Sequence, residues 1–205
     1  MAVNKFMNIG KVRVPQQRRS IEIKRKIKLA AQTLFSEKGY HNTSSNEIVR
    51  AAGVSIGAFY SYFPNKKSLF IELLHEYNQN IVAQVENSFI QTENPRRIIE
   101  QYIYSVLNSH NYSPEFHSEI LVMSYSDEQI RDITTHYENN MIGQIEQLLK
   151  NNKSMLKITR FTDAAYLIFK SVEEVIHGIK VFKRPCDEAT LIHELTEMIC
   201  SYILQ

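Results

Sequence analysis

Cysteines are few in this sequence, and long apolar runs are missing. Cys186 and Cys200 are the only cysteines among 205 residues, and their spacing fits no structural zinc site. They favour two ordinary cytosolic thiols over a disulfide or a redox sensor. No stretch approaches the roughly 18 consecutive apolar residues that a membrane span needs, and the N-terminus has no apolar segment like that of a secretory signal. We therefore expect a cytoplasmic protein that has no membrane partner.

Signals of catalysis and of β-structure are also missing. The sequence has no strand-like alternation of apolar and polar residues, no internal repeat and no low-complexity segment. No Ser-His-Asp order, glycine-rich phosphate loop or cysteine cluster stands out. Apolar residues recur instead at helical spacing, over a length that allows an ample core. The sequence thus predicts an all-α protein of about nine helices, without a cofactor.

The net charge is only +2, but the charge is unevenly distributed. Residues 1–70 carry thirteen Lys and Arg against three Glu, a net charge of +10, whereas residues 71–205 carry a net charge of −8. A positive module attracts nucleic acid, because binding releases the counterions that surround the phosphates. An anionic membrane surface would attract the same charge, but the DNA-binding pattern described next lies within the basic part.

The stretch from Thr43 to Leu69 has the pattern of two short helices joined by a tight turn. Ser44 and Glu47 form an S-x-x-E capping box at a helix start. Gly53 stands where that helix ends, since glycine readily adopts a positive φ. Ser55 is a favourable N-cap for the second helix, which a proline soon stops. This pattern is typical of the helix-turn-helix, whose second helix enters the DNA major groove.

The run AAGVSIGAFYSYFPNKKSLF, which begins at Ala51, resembles the DNA-binding signature of the tetracycline-repressor (TetR) family of bacterial regulators. The resemblance covers about residues 24–74 and includes the preceding LFSEKGYHNTS. It implies a homodimeric repressor that binds a near-palindromic operator in double-stranded DNA and is released by a small-molecule effector. Beyond residue 75 the likeness is only to an all-helical architecture, so it implies neither the operator sequence nor the effector.

Nine residues of this stretch are expected to contact DNA, and the resemblance places family contacts at the same positions. Small residues at the start of the second helix let the backbone approach the base edges, and Ile56 can contact a thymine methyl group. Tyrosine and serine hydroxyls can bind phosphates. Lys66 combines its charge with a helix N-terminus, which favours a phosphate. The predicted contacts are Ser44, Ser45, Ser55, Ile56, Gly57, Ala58, Tyr60, Tyr62 and Lys66.

Three segments are expected along the chain. Residues 1–19 read as a basic arm, which is either disordered or ordered along DNA. Residues 20–66 read as the helix-turn-helix domain. Residues 67–205 read as the helical regulatory domain, which binds the ligand and forms the dimer.

Two helical features are expected to support DNA binding and its regulation. The polar face of the first helix carries Lys24, Arg25 and Lys28, which are expected to flank the phosphate backbone. A long helix from Asn65 to about Phe89 is expected to connect the helix-turn-helix domain with the helical regulatory domain. That helix is the element expected to transmit an effector signal.

Within the helical regulatory domain, the resemblance implies a dimer interface and an effector pocket. The last two helices are expected to pair with those of a second subunit, with Leu195 and Ile199 as candidate interface residues. Inner-facing aromatic, methionine and polar side chains are the candidates for a pocket, although such a stripe is also typical of a core. The predicted pocket residues are Tyr102, Phe116, Met123, Tyr137, Met141, Phe169, Glu173 and His177.

Two alternatives remain open from the sequence. A DNA-binding regulator controlled by a protein partner would lack a cavity. A di-metal helical-bundle enzyme would use E-x-x-H pairs, and both Glu72-x-x-His75 and Glu174-x-x-His177 have that spacing. Such pairs also arise by chance in Glu-rich helices, and further glutamates would have to meet at the same centre. We therefore expect no metal site and no catalytic residues.

Overall fold

The structure, a computed structural model of the chain, describes residues 18–88, 94–110 and 113–205. Nine α-helices follow one another in these ranges, with a short 3-10 turn at Lys153–Met155 between the seventh and the eighth. The helices are α1 Arg18–Lys38, α2 Ser45–Ala52, α3 Ile56–Tyr62, α4 Lys66–Ser88, α5 Pro95–Ser109, α6 Pro114–Ser126, α7 Glu128–Asn151, α8 Phe161–Lys180 and α9 Glu188–Ile203. The predicted all-α fold is confirmed.

Local capping chemistry determines several of the helix ends. Ser44 accepts a hydrogen bond from the Glu47 backbone, and the Glu47 carboxylate accepts one from the Ser44 backbone, so the predicted capping box is present. Gly53 ends α2 at φ 64°, a conformation that costs glycine little. Ser55 caps α3 by accepting a hydrogen bond from Ala58 N at 3.1 Å. Later in the chain, Asn94, Asp127 and Asp187 cap α5, α7 and α9 in the same way.

The chain divides into two compact units, Met1–Glu76 and Tyr77–Gln205. The first unit holds α1, α2, α3 and the first turns of α4. Its aromatic centre joins Phe35, Tyr40 and Phe70, whose ring centroids lie 5.3–5.6 Å apart. Because Phe70 belongs to α4, the first unit extends past the expected boundary at Lys66. The buried apolar side chains of this unit are Ile27, Ala31, Phe35, Ile48, Val49, Phe59, Tyr62, Phe63, Leu69, Phe70, Leu73 and Leu74.

Ion pairs on the surface of the first unit join α1 to α4. Lys24 Nζ lies 2.7 Å from a Glu72 carboxylate oxygen, and Lys28 pairs with both Glu72 and Glu76. Arg25 pairs with Glu22 on α1 itself. The three cations expected to flank the phosphate backbone therefore have carboxylate partners within the unit. This differs from the expectation, because the acidic partners on α4 could not be assigned to this face from the sequence.

The second unit is built around one apolar core between α5, α7, α8 and α9. Burial of each large aliphatic or aromatic side chain in such a core contributes about 1.5–3 kcal/mol. An antiparallel bridge between Leu156 and Leu204 ties the chain after α9 to the segment before α8. The fully or almost fully buried core residues include Ile103, Val106, Ala164, Ala165, Val172, Ile176, Ile192 and Ile203.

Several helix ends differ slightly from the expected positions. Arg18 and Arg19 belong to α1 rather than to the expected basic arm, and the rest of that arm lies outside the described residues. The helix expected to reach Phe182 ends at Lys180, and α6 continues past Met123 to Ser126. None of the helices in the described ranges is long and apolar enough to cross a membrane.

The two cysteines differ in exposure. Cys186 is exposed in the connection between α8 and α9, and Cys200 is buried on α9. Burial raises the pKa of the Cys200 thiol. Both are free thiols, as the sequence predicts.

Candidate nucleic-acid interface

The start of α3 is the exposed end of the helix-turn-helix. Ser55 and Gly57 are exposed, Ile56 keeps 40% of its surface accessible, and Ala58 is half-buried. A Cβ atom at Gly57 would meet only Ser55 Oγ at 4.0 Å, so the helix presents open space there. These four predicted residues thus form a continuous small surface that a duplex can approach closely.

The two tyrosines of α3 lie on different faces of the helix. Tyr60 is 55% exposed and follows Ile56 by four positions, so both side chains lie on the outer face. Tyr62 is only 6% exposed, because it shares the inner face with Phe59 and Phe63. The sequence predicts both tyrosines as DNA contacts. The structure favours Tyr60 alone, since helical periodicity turns Tyr62 into the core.

Ser44 and Ser45 lie together at the start of α2. Ser44 is exposed, but its hydroxyl already caps the helix and also donates to Glu47 Oε2 at 2.9 Å. Lys38 donates to the other oxygen of Glu47 at 2.7 Å. The hydrogen bonds from Lys38 and Ser44 lower the pKa of Glu47 to about 2. A phosphate at this helix start would therefore meet Ser45 and the backbone donors beside a carboxylate that is charged at neutral pH.

Lys66 has a structural role that the sequence does not predict. Its ammonium group donates to the carbonyl oxygens of Tyr40 and Thr43, both at 2.6 Å. The same group lies 4.1 Å from the centroid of the Tyr40 ring, within the range of a cation–π contact. Lys66 thus fastens the α1–α2 turn to the start of α4. Its predicted phosphate contact stays a prediction.

The residues predicted to line a pocket are mostly packed in the second unit. Tyr102, Phe116, Met123, Met141 and Phe169 are all buried, while Tyr137, Glu173 and His177 are partly exposed. The buried hydroxyl of Tyr102 has no hydrogen-bond partner among the described residues. A surface depression of about 270 Å³ lies elsewhere, lined by Arg97, Glu100, Gln101 and Tyr104. The pocket therefore stays a prediction.

A buried polar cluster joins three of these helices. His110 at the end of α5, His117 on α6 and His177 on α8 have ring centroids 4.6–5.3 Å apart. Glu173, one turn before His177, places Oε2 3.0 Å from His177 Nε2 and 3.8 Å from His110 Nε2. Sequence reasoning places His110, Glu173 and His177 on inner helix faces beside the predicted pocket, but it misses His117 as a member of this group.

The environment sets the charge state of the cluster. Burial lowers the pKa of His110, and burial with the neighbouring imidazoles lowers the pKa of His117 to about 3. Burial raises the pKa of Glu173, but the hydrogen bond with His177 lowers it, and the net effect holds that pKa below its usual range. At neutral pH the cluster therefore contains one carboxylate and at least two uncharged imidazoles.

The two E-x-x-H pairs do not form the metal arrangement considered for an enzyme. Glu72 pairs with lysines of the first unit, and Glu174 is exposed. The contact partner of His177 is Glu173, four residues earlier, because residues at i and i+4 meet on one face of a helix.

The last two helices expose apolar side chains on the outside of the second unit. Tyr166 and Leu167 on α8 are 51% and 50% exposed, and Met198 and Tyr202 on α9 are 53% and 41% exposed. Leu195 and Ile199, the interface residues suggested from the sequence, instead belong to the core of their own unit. The correction follows from the helical repeat, which turns Met198 and Tyr202 outwards.

Comparison with known proteins agrees with this geometry. The family model for bacterial regulatory proteins of the tetR family matches residues 27–73, from α1 into α4. An uncharacterized HTH-type transcriptional regulator of Bacillus subtilis (strain 168), YuxN, is 38% identical over 77 residues, which make up 36% of this chain and 26% of YuxN. The chain thus spans about a quarter of the length of that relative. The HTH-type transcriptional regulator QacR of Staphylococcus aureus (strain Mu50 / ATCC 700699) is 27% identical over 150 residues, or 73% of this chain and 70% of QacR.

Among solved structures, NalD of Pseudomonas aeruginosa, the secondary repressor of the MexAB-OprM multidrug efflux pump, superposes with a TM-score of 0.72. The two chains are 21% identical, and the superposition covers 92% of this chain and 99% of NalD. A likeness at this identity shows a shared fold, and the family match falls on the residues that form the helix-turn-helix. Residues 27–73 of this chain thus match the tetR family of bacterial regulatory proteins.

Proposed function

We propose that this protein is a DNA-binding transcriptional repressor that acts as a homodimer on a near-palindromic operator and is released by a small-molecule effector. The observation that carries the proposal is the exposed start of α3. Ser55, Ile56 and Gly57 are exposed there, and the open space lets this helix start enter a DNA groove. In a helix-turn-helix the N-terminal residues of the second helix contact the base edges. The relatives support this function over an enzyme, since QacR is a transcriptional regulator and NalD a repressor.

The contacts divide into those that hold the backbone and those that read sequence. Ile56 has no hydrogen-bonding group, so its contribution is an apolar contact such as one with a thymine methyl group. Tyr60 is exposed on the same face, and its hydroxyl is suited to a phosphate oxygen. Ile56 therefore affects the choice of sequence, and Tyr60 affects binding to every duplex.

Titration of duplexes with the full-length protein tests this division. One duplex is the region upstream of the protein's own gene, and the other is a scrambled duplex of equal length. Fluorescence anisotropy measures the binding of the protein to each duplex. Ile56→Ala should reduce the preference for the upstream duplex, and Tyr60→Phe should weaken binding to both duplexes alike. Tyr125→Phe removes a hydroxyl from a tyrosine that is 86% exposed on α6, and serves as the matched control. A wild-type protein that binds both duplexes equally, with no effect of either variant, would refute sequence-specific binding through α3.

The homodimer is proposed to form through the outer faces of α8 and α9. Four exposed apolar side chains on these helices, including Met198 and Tyr202, support an apolar interface. A two-fold dimer would present two α3 helices to two half-sites, about 34–36 Å apart on one face of the duplex.

Sedimentation velocity measures this interface directly. Met198→Glu places a charge in the proposed interface and should convert the dimer to a monomer without unfolding it. Val122→Glu is the control, since Val122 is 51% exposed on α6 and lies outside the interface. A wild-type chain that sediments as a monomer at micromolar concentration would remove the dimer from the proposal.

The effector is proposed to bind within the second unit. Tyr102 supports this position, because a buried hydroxyl without a partner carries a cost that a polar ligand can remove. An effector releases DNA only if it binds better to the conformation with low operator affinity, and typical coupling changes affinity about 5- to 150-fold. Fractions of cell extract added to the operator titration should include one that lowers affinity within this range. If none does, control by a protein partner becomes the better account.

A further inference from the structure

The buried histidine cluster of the second unit offers a ligand set that the proposed function does not use. The side-chain nitrogens of His110, His117 and His177 that could bind an ion all lie within 4.8 Å of one another. Glu173 Oε2 adds a fourth donor atom, at 3.0 Å from His177 Nε2. Three imidazoles and one carboxylate form a set that suits a tetrahedral divalent ion.

His110 is oriented as a metal ligand would be. Its Nδ1 lies 2.8 Å from the carbonyl oxygen of Val106. Since a carbonyl only accepts, Nδ1 carries the hydrogen and Nε2 keeps its lone pair. The residue is fully buried, and Nε2 has no hydrogen-bond partner among the described residues. A backbone carbonyl that fixes the tautomer in this way is a common companion of metal-binding histidines.

His117 and His177 place their Nε2 atoms close together, in a position where both atoms could bind one ion. Their Nε2 atoms lie 2.9 Å apart, so at least one must carry a proton, because two lone pairs at that distance repel each other. The Nδ1 atom of His117 lies 2.7 Å from the Tyr77 hydroxyl, which can accept its hydrogen and leave Nε2 unprotonated. A bound ion would take the place of the hydrogen between the two rings, and each ring would then present its Nε2 lone pair to the ion and keep its own hydrogen on Nδ1.

We propose that His110, His117, His177 and Glu173 bind one Zn²⁺ ion between α5, α6 and α8. Zinc–nitrogen bonds of about 2.0–2.1 Å place tetrahedral ligands about 3.3 Å apart. Three of the six donor separations, 2.9, 3.0 and 3.8 Å, bracket this value, and the three histidine nitrogens lie within 4.8 Å of one another, so side-chain rotations would bring the donors around one ion. Imidazole and carboxylate ligands without a thiolate also suit the neighbouring divalent ions Co²⁺ and Ni²⁺.

Four protein ligands leave no open coordination position. A closed site of this kind holds structure, whereas a catalytic zinc keeps a position for water or substrate. The ion would join the end of α5 and the start of α6 to the last turns of α8. The inference goes beyond the proposed function and does not depend on it, because metal binding can be measured without DNA.

Metal titration of the full-length protein, after treatment with a chelator, tests the site. Co²⁺ should bind one ion per chain and give the intense visible absorption of four-coordinate Co²⁺, and Zn²⁺ should abolish that absorption. Competition with a chromophoric chelator gives the Zn²⁺ affinity.

Two pairs of variants locate the ion. Glu173→Gln and His177→Gln each remove one ligand at a partly exposed position and should lower the Zn²⁺ affinity by more than about 100-fold, beyond the 10–100-fold loss typical of a second-shell change. The controls are Glu174→Gln, the adjacent exposed carboxylate, and His193→Gln, an exposed histidine on α9. Both controls should bind Zn²⁺ like the wild type.

A variant that keeps all four ligands guards against effects of misfolding. Tyr77→Phe removes only the hydroxyl that contacts His117 Nδ1 and should lower the Zn²⁺ affinity about 10–100-fold. The proposal is overturned if the wild-type chain binds neither Co²⁺ nor Zn²⁺ stoichiometrically. It is also overturned if the control variants lose as much affinity as Glu173→Gln and His177→Gln, because the ion would then bind elsewhere.

Discussion

Replacing Lys66 by methionine should destabilise the first unit, since Lys66 holds the α1–α2 turn against α4. The substitution keeps an apolar side chain of similar length but removes the ammonium group. The carbonyl oxygens of Tyr40 and Thr43 then lose their contacts at 2.6 Å, and the Tyr40 ring loses its cation. These contacts lie in a part-buried site, where water replaces them incompletely.

The expected size of the effect follows from these contacts. A hydrogen bond that involves a charged group contributes about 1.5–3 kcal/mol, and a cation–π contact at such a site contributes about 0.5–1 kcal/mol. Because the contacts share one ammonium group, they are not additive, and we expect a loss of about 2–4 kcal/mol in the free energy of unfolding. Lys26→Met removes the same charge from an exposed position of α1 and should change that free energy by less than about 0.5 kcal/mol.

Urea unfolding combined with amide hydrogen exchange measures the loss of stability in the first unit. Exchange of α1 and α2 amides reports on the first unit even if the two units unfold separately. If Lys66→Met is no less stable than Lys26→Met, the contacts to Tyr40 and Thr43 contribute nothing and the argument is wrong.

The same variant separates the anchoring role of Lys66 from its predicted phosphate contact. A lysine that binds a phosphate lowers the slope of log K against log salt concentration by about one unit when it is removed. A lysine that only holds the turn in place should reduce DNA affinity without changing the slope. Anisotropy titrations at several salt concentrations distinguish the two outcomes.

Two further predictions concern α2 and the glycines. Lowering the pH from 4.5 towards 2 should weaken the start of α2, because the pKa of Glu47 is lower in the folded chain and its contribution to stability is lost as the carboxylate is protonated; Glu47→Gln should remove this part of the acid dependence of urea unfolding. Gly53→Ala should destabilise the chain by about 1 kcal/mol, because its φ of 64° strains any residue with a Cβ, although the space is open. Gly143→Ala, within α7 and also in open space, should instead stabilise it by about 0.5–1 kcal/mol. Equal effects of the two alanines on the midpoint of thermal unfolding would contradict this reasoning.

Features that depend on neighbours along the chain could be predicted from the sequence. The caps at Ser44, Ser55 and Asn94 and the helix end at Gly53 follow from the chemistry of two to four adjacent residues. The exposed start of α3 follows from the same local pattern. The sequence therefore locates the candidate DNA-binding surface closely.

Features that depend on partners far along the chain could not be predicted. Lys66 meets carbonyl groups 23 and 26 positions earlier, and His177 meets a histidine 60 positions earlier. The E-x-x-H spacing links Glu174 with His177, whereas in the structure Glu173 makes the contact. Helical spacing shows which residues share a face, but the opposing helix decides which of them form a site.

The unequal exposure of the two cysteines makes the unaltered sequence suitable for labelling at a single position. A maleimide dye reacts with thiolates, and Cys200 is both buried and raised in pKa, so the dye should attach to Cys186. Cys186 follows the helix that carries Glu173 and His177, so the fluorescence of the attached dye would report on the end of α8. The movement of that helix end on addition of a metal ion, an effector or an operator can therefore be followed in one sample without introducing a cysteine.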